Sequence, residues 1–172
     1  MALPKLTKDF DFLLFDCGIE SFNNYIKNTA LIDMGSRRQA QVYVLPFEKK
    51  VVGFYKIEPF AFEPSELPKK LAKNRAINLK VSSWLIGRLA RDLSVKGQGI
   101  GEKLLMDALQ RINRLANEGG GYCVIVDSKF EKTDKQYQKL YDFYISFGFE
   151  LLDETKSFRR FFLPIAEIPD VL

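Results

Sequence analysis

Apolar positions along the chain alternate between a helical and a strand period, and the changes of period mark out the elements. From about Glu20 to Asp33, Phe22, Ile26 and Thr29 or Ala30 share one helical face, introduced by Phe15-Asp16-Cys17-Gly18. Gln39 to Pro46 and Val51 to Ile57 read as two strands, with Glu48-Lys49-Lys50 turning the hairpin between them. Pro59, Pro64 and Pro68 predict an irregular stretch from Pro59 to Leu67, followed by a short helical turn from Leu67 to Lys73. Val81 to Arg91 is apolar through its middle, as a central strand is. The strongest helix runs from Ile100 to about Asn117. Ile100, Leu104, Ala108, Ile112 and Leu115 form one stripe, with Leu105, Leu109 and Ala116 beside it. Glu118 and the glycines 119–121 end it. Tyr122 to Val126 reads as a buried strand. Thr133 or Asp134 caps a helix to about Phe147 that Gly148 stops, and Phe149 to Leu152 and Phe158 to Leu163 are two closing strands.

The order is therefore β-β, irregular, then β-α-β-α-β-β. A strand–helix–strand crossover makes a parallel pair, so the expected fold class is α/β (α+β), a mixed central sheet flanked by helices. Ligand is expected at the carboxyl ends of the strands. At 172 residues, without repeat, low-complexity tract or linker, the chain reads as a single domain, residues 1–172.

Composition mainly excludes. Hydrophobic residues are 47% and charged ones 28%, ordinary for a globular protein, and no apolar run approaches the roughly 20 residues of a membrane helix. The first residues lack the apolar core of an export signal, so a cytoplasmic location is expected, with Cys17 and Cys123 as free thiols. Histidine is absent. That removes Ser-His and Cys-His nucleophilic dyads and argues against zinc, so no metal is expected. Acid–base work falls to Tyr, Asp, Glu, Lys or water. The formal charge of +4, from 26 Lys and Arg against 22 Asp and Glu, is only mildly basic, so its placement matters more than its size.

The chemistry concentrates in Lys96-Gly97-Gln98-Gly99-Ile100-Gly101, between the central strand and the strongest helix. Alternating glycines let the backbone approach a ligand, and the helix turns its free amides and positive dipole end toward the same turn. A phosphate or pyrophosphate suits such a place; the alternative is a turn that merely joins strand to helix. It is not a P-loop, because Glu102, Lys103 and Leu104 follow Gly101. It is not a dinucleotide fingerprint either, because the third glycine position falls on Glu102 or Leu104.

The turn does resemble the (Arg/Gln)-x-x-Gly-x-Gly/Ala acyl-CoA loop of GNAT N-acetyltransferases, with Lys96 in the Arg/Gln position. The element order resembles the GNAT fold from about residue 7 to 164. The resemblance implies acetyl-CoA as co-substrate, its pyrophosphate on Lys96, Gly97, Gln98, Gly99, Ile100 and Gly101. Its pantetheine arm would pair with the backbone of Leu89, Ala90 and Arg91. Lys96 offers a point charge where Arg would grip bidentately. Phe143-Tyr144-Ile145-Ser146-Phe147-Gly148-Phe149 resembles the GNAT stretch whose tyrosine protonates the departing thiolate, which makes Tyr144 the catalytic acid. Tyr137, Tyr141 and Tyr144 also recur at helical spacing, the pattern of a packing stripe. For the base, Asp92 and a water chain are both open.

Four further segments resemble one GNAT branch. They are Phe15-Asp16-Cys17-Gly18 with its helix through Asn23, Val52-Gly53-Phe54-Tyr55-Lys56-Ile57, Leu85-Ile86-Gly87-Arg88-Leu89-Ala90, and Arg160-Phe161-Phe162-Leu163-Pro164. That branch comprises the toxins of toxin–antitoxin pairs that acetylate the α-amine of aminoacyl-tRNA. The resemblance implies an aminoacyl-tRNA substrate, a small DNA-binding antitoxin and a homodimer; Phe147, Phe149, Phe158, Phe161 and Phe162 are either a patch for it or core. Arg37-Arg38, then Lys69, Lys70, Lys73, Arg75 and Lys80, then Arg88 and Arg91 are the cations available to a phosphate backbone. The chain departs from the branch at Lys96, at Arg91 where a small apolar residue is usual, and across residues 58 to 80. The rival readings are a GNAT acting on a protein N-terminus, lysine or small amine, and a non-catalytic acyl-CoA-binding regulator.

Overall fold

The computed structural model describes residues 2–63, 80–129, 134–154 and 158–168. In chain order the elements are α1 (Glu20–Asn28), α2 (Ala30–Met34), β1 (Gln41–Phe47), β2 (Lys50–Phe62), β3 (Val81–Arg91), α3 (Ile100–Gly119), β4 (Cys123–Lys129), α4 (Asp134–Ser146), β5 (Glu150–Glu154) and β6 (Phe158–Pro164). Short 3-10 turns occupy Leu93–Val95 and Ile165–Glu167. The strands form one six-stranded sheet in the order β1-β2-β3-β4-β6-β5. β3 and β4 are neighbours joined through α3, the connection that parallel strands require.

The chain divides into two compact units, residues 1–58 with 86–109 and residues 59–85 with 110–172. In the first, β1 and β2 pair antiparallel from Gln41↔Ile57 to Phe47↔Lys50. The register slips between Leu45 and Pro46, where proline has no N–H for the ladder. Phe15, Phe22, Tyr25 and Ile26 pack with Val42, Val44, Val51, Phe54 and Ala90 in one core. The start of α3 lies against β2 at Gly53: a Cβ there would stand 2.9 Å from Leu104 Cδ1 and 3.1 Å from Ile100 Cγ2. Tyr55 donates to Asp107, and the Leu3 amide reaches the same carboxylate at 2.9 Å, which tethers the helix at that residue.

In the second unit β4 and β6 pair antiparallel, Cys123↔Pro164 through Lys129↔Phe158, and β5 lies on the far side of β6. Val81, Leu85, Cys123, Ile125 and Phe162 form its core. Gly148, at φ 86°, ends α4, and the Phe149 amide bonds back to the Tyr144 carbonyl at 3.2 Å.

Two expectations change, and one open choice is decided. The first helix is two, α1 and α2, broken at Thr29. The stretch after Ile57 is not irregular at once, because β2 continues through Pro59 to Phe62. Phe149, Phe161 and Phe162 are no surface patch: they are 1%, 1% and 2% exposed. The turn expected at Leu67–Lys73, the cap at Thr133 and the cations Lys69, Lys70, Lys73 and Arg75 lie outside the described residues.

Candidate functional site

The expected donor loop lies wholly within the first unit, together with the end of β3. Gly97 and Gly99 have φ of 83° and 69°, left-handed values that a side chain resists; Gly101 is helical, in the first turn of α3. The Lys103 amide bonds to the Gly99 carbonyl at 3.2 Å, which starts the helical ladder there. The amides of Ile100, Gly101 and Glu102 therefore have no acceptor one turn back. Those of Gly97 and Gly99 make no bond to the described protein either. Lys96 and Gln98 are exposed at the rim. A cluster of free amides on a helix N-terminus with one adjacent cation has the chemistry to take a phosphate group. Leu89, Ala90 and Arg91 lead into it as the last residues of β3, and Arg91 Nη1 donates to the Asp92 carbonyl at 3.2 Å.

Asp92, an open candidate for the base, is committed elsewhere. Its carboxylate accepts from the Asp16 amide at 3.0 Å, the Ser94 amide at 2.9 Å and Ser94 Oγ at 2.6 Å. Burial opposes its charge, but the hydrogen bonds from Ser94 and Asp16 outweigh burial and hold the carboxyl below its ordinary value. Asp16 extends the clamp, accepting from the Gly18 amide at 2.9 Å and from Asn23 Nδ2 at 2.7 Å, while Asn23 Oδ1 takes the Cys17 amide. The Leu93 amide bonds to the Asp16 carbonyl at 2.8 Å. The Phe-Asp-Cys-Gly segment thus braces the turn that opens the donor loop.

Arg88, just before that strand end, meets the helix α1. Its guanidinium lies 4.1 Å from the Tyr25 ring centroid and 5.7 Å from that of Phe22. Around the same tyrosine runs a charge network that the sequence did not reveal. Lys56, 8% exposed, pairs with Glu58 at 2.8 Å and lies 3.9 Å from Asp33, which also takes Arg37 at 3.1 Å. Glu58 closes over Gly87, where a Cβ would stand 2.8 Å from Oε1. Burial, and then the charge of Asp33, push the Tyr25 phenol above its ordinary value. The i, i+2 spacing of Lys56 and Glu58 beside a strand glycine was the available signal.

Tyr144 belongs to the second unit. It is 4% exposed, with rings of Phe143 and Phe161 each 5.1 Å away and Phe149 at 5.8 Å. Burial raises its phenol well above the usual tyrosine value, and a hydrogen bond with Ser128 offsets part of that rise. The group is a phenol, not a phenolate, at neutral pH. Tyr141 also packs on Phe161, at 5.9 Å, so Tyr141 and Tyr144 share a packed face of α4. Among the described residues no group of His, Cys, Asp and Glu could hold a metal, and no helix is long and apolar enough to cross a membrane.

No family model matches the chain. It is 29% identical over 164 residues to a probable toxin TacT of Sinorhizobium fredii, covering 94% of this chain and 89% of that one. A tRNA-acetylating toxin of Mycobacterium tuberculosis is 28% identical over 154 residues, with 87% and 85% covered. Among solved structures, AtaT complexed with acetyl-methionyl-tRNAfMet superposes with a TM-score of 0.80 at 26% identity, over 97% of this chain and 96% of that one. The fold is that of the GNAT toxins. A mutant AtaT toxin bound to the C-terminus of the antitoxin AtaR and acetyl-CoA matches at TM-score 0.74 and 26% identity, over 97% and 94%. At that coverage the match spans both units. The chain thus resembles the toxin branch in sequence as well as in fold.

Proposed function

We propose that this chain transfers an acetyl group from acetyl-CoA to the α-amine of an aminoacyl-tRNA, blocking that tRNA's use in translation. The observation that carries the reading is the amide-lined turn at Gly97–Gly101 in a chain that resembles acetyl-transferring toxins from end to end. Acetyl-CoA supplies the activated thioester. Lys96 and the amides of Gly97 to Gly101 would hold its pyrophosphate, and the backbone of Leu89, Ala90 and Arg91 its pantetheine arm. The neutral amine attacks the thioester carbonyl, the C–S bond breaks, and the sulfur leaves as a thiolate that Tyr144 protonates. A buried phenol that stays protonated at neutral pH suits that donation. With Asp92 occupied as a brace, the amine's proton leaves through water.

The partners follow from the same likeness: a small DNA-binding antitoxin that neutralises the enzyme, and a cytoplasmic location, where charged tRNA is. A homodimer belongs to this reading too. Leu13 and Leu14, 68% and 77% exposed, offer apolar surface for it in place of the C-terminal phenylalanines.

The test is transfer of labelled acetyl from acetyl-CoA to a mixed pool of charged tRNA, with deacylated tRNA and a peptide amine alongside. Label on charged tRNA alone is the expected result. Label on the peptide instead keeps the acetyltransferase and discards tRNA as its acceptor. CoA binding without transfer to any amine would make the chain an acyl-CoA-binding regulator.

A further inference from the structure

Tyr144 is packed among the rings of Phe143, Phe149 and Phe161, and it is 4% exposed. A neutral phenol sits there at little cost. A phenolate, which proton transfer to a leaving sulfur creates, is costly beside apolar rings unless a donor meets it. The second unit brings a polar side chain to it from another element. β4 and β6 pair with Val126 opposite Phe161 and Ser128 opposite Arg159, so these four residues share a face of the sheet. Tyr144 rests on Phe161, at 5.1 Å between ring centroids, which makes this the face that α4 covers. Ser128, 6% exposed, meets the Tyr144 hydroxyl there in a hydrogen bond. Asp127, one residue earlier, belongs to the opposite face, where Arg160 holds it at 2.7 and 2.8 Å. The strand thus turns a hydroxyl toward the phenol and its carboxylate away.

We propose that Ser128 is a positioning residue for the acid: it holds the Tyr144 hydroxyl at rest and donates to the phenolate once the proton has gone to sulfur. This rests on the acetyl-transfer reading above. A serine hydroxyl suits both states. Its oxygen can accept from the phenol, and after one bond rotation its hydrogen can donate to the phenolate. The C–S bond breaks, the sulfur takes the Tyr144 proton, Ser128 keeps its own, and solvent restores the phenol after the thiol leaves. A hydrogen bond to an ionised oxygen is stronger than one to a neutral oxygen. Ser128 therefore favours the step in which charge forms on the phenol and leaves donor binding alone. In a water-poor place such a fixed donor counts for more than it does in water.

The experiment measures thiol release from acetyl-CoA with charged tRNA as acceptor. It compares wild type with Ser128→Ala, Ser128→Thr, Tyr144→Phe and the Ser128→Ala/Tyr144→Phe double variant. Ser128→Ala is expected to lower kcat about tenfold and to leave the KM for acetyl-CoA within about twofold of wild type. Ser128→Thr keeps the hydroxyl on a β-branched residue that a strand accepts, and is expected to recover most of that loss. In the Tyr144→Phe background the alanine substitution is expected to change kcat by less than about twofold, because the phenol it serves is gone. A packing defect would lower both backgrounds alike. A Ser128→Ala kcat equal to wild type, the same loss in both backgrounds, or no recovery with threonine overturns the assignment. Failure of the acetyl-transfer reading looks different: wild type then releases thiol no faster than Tyr144→Phe, and the role of Ser128 falls with that of the tyrosine.

Discussion

Replacing Asp92 with asparagine tests the brace beneath the donor loop. The carboxylate holds three donors, at 3.0, 2.9 and 2.6 Å, and joins the Asp16 turn to the turn after β3. Asparagine keeps one oxygen but sets an amide N–H₂ against a backbone donor. The exposed Ser94 recovers partners from water, so the net loss is close to that of one charge-assisted bond, about 2 kcal/mol. For a chain of this length that is about 4–8 °C in melting temperature.

The pH dependence carries the sharper test. The folded carboxyl sits below its ordinary value, so its contribution is complete above the unfolded value of about 3.9 and is lost as pH falls through the folded one. The gap between wild type and Asp92→Asn should be the same at pH 7.5 and 5.5 and narrow toward pH 3. Urea melts at the three pH values read it directly. A variant as stable as wild type at neutral pH, or a gap that does not narrow in acid, would refute the brace. Isothermal titration should also show weaker acetyl-CoA binding, because the loop begins at the end of this clamp.

Gly99→Ala places a Cβ at φ 69°, a strain of about 1–2 kcal/mol, and is expected to raise the acetyl-CoA Kd about tenfold in calorimetry while the fold melts within a few degrees of wild type. Gly53→Val drives methyl groups into Leu104 and Ile100 and should cost about 1–3 kcal/mol in denaturant unfolding; an unchanged midpoint would mean that α3 does not rest there. Tyr144→Phe is expected to lower turnover by about 10²–10⁴ with acetyl-CoA affinity near wild type, and unchanged turnover would return Tyr144 to the packing stripe.

The elements were legible where one period ran long. β3 from Val81 to Arg91 and the start of α3 at Ile100 are where the hydrophobic pattern put them. The errors sit where short-range signals conflict. Thr29 breaks a helical face that continues beyond it in Ala30 and Leu31, so periodicity alone joined two helices. Pro59 suggested an end, yet β2 runs on through it. Proline lacks only the ladder N–H, and a strand accommodates that at some positions. The C-terminal phenylalanines stayed open between patch and core because composition shows apolar residues but not which way they face; Phe149, Phe161 and Phe162 are core.

Of the candidate site, the donor loop was readable because its requirement is a backbone one. Positive φ and free amides demand glycine, and glycine shows in a sequence. Charge roles were not readable, because they depend on partners distant along the chain. Asp92 stayed open between a base and a structural carboxylate, because its donors include an amide 76 residues away. Arg37 and Lys80 looked like tRNA contacts, but each meets a carboxylate, Asp33 at 3.1 Å and Glu63 at 2.9 Å. A cation already paired in the protein offers a phosphate less than its formal charge suggests, since binding must first compete with that carboxylate.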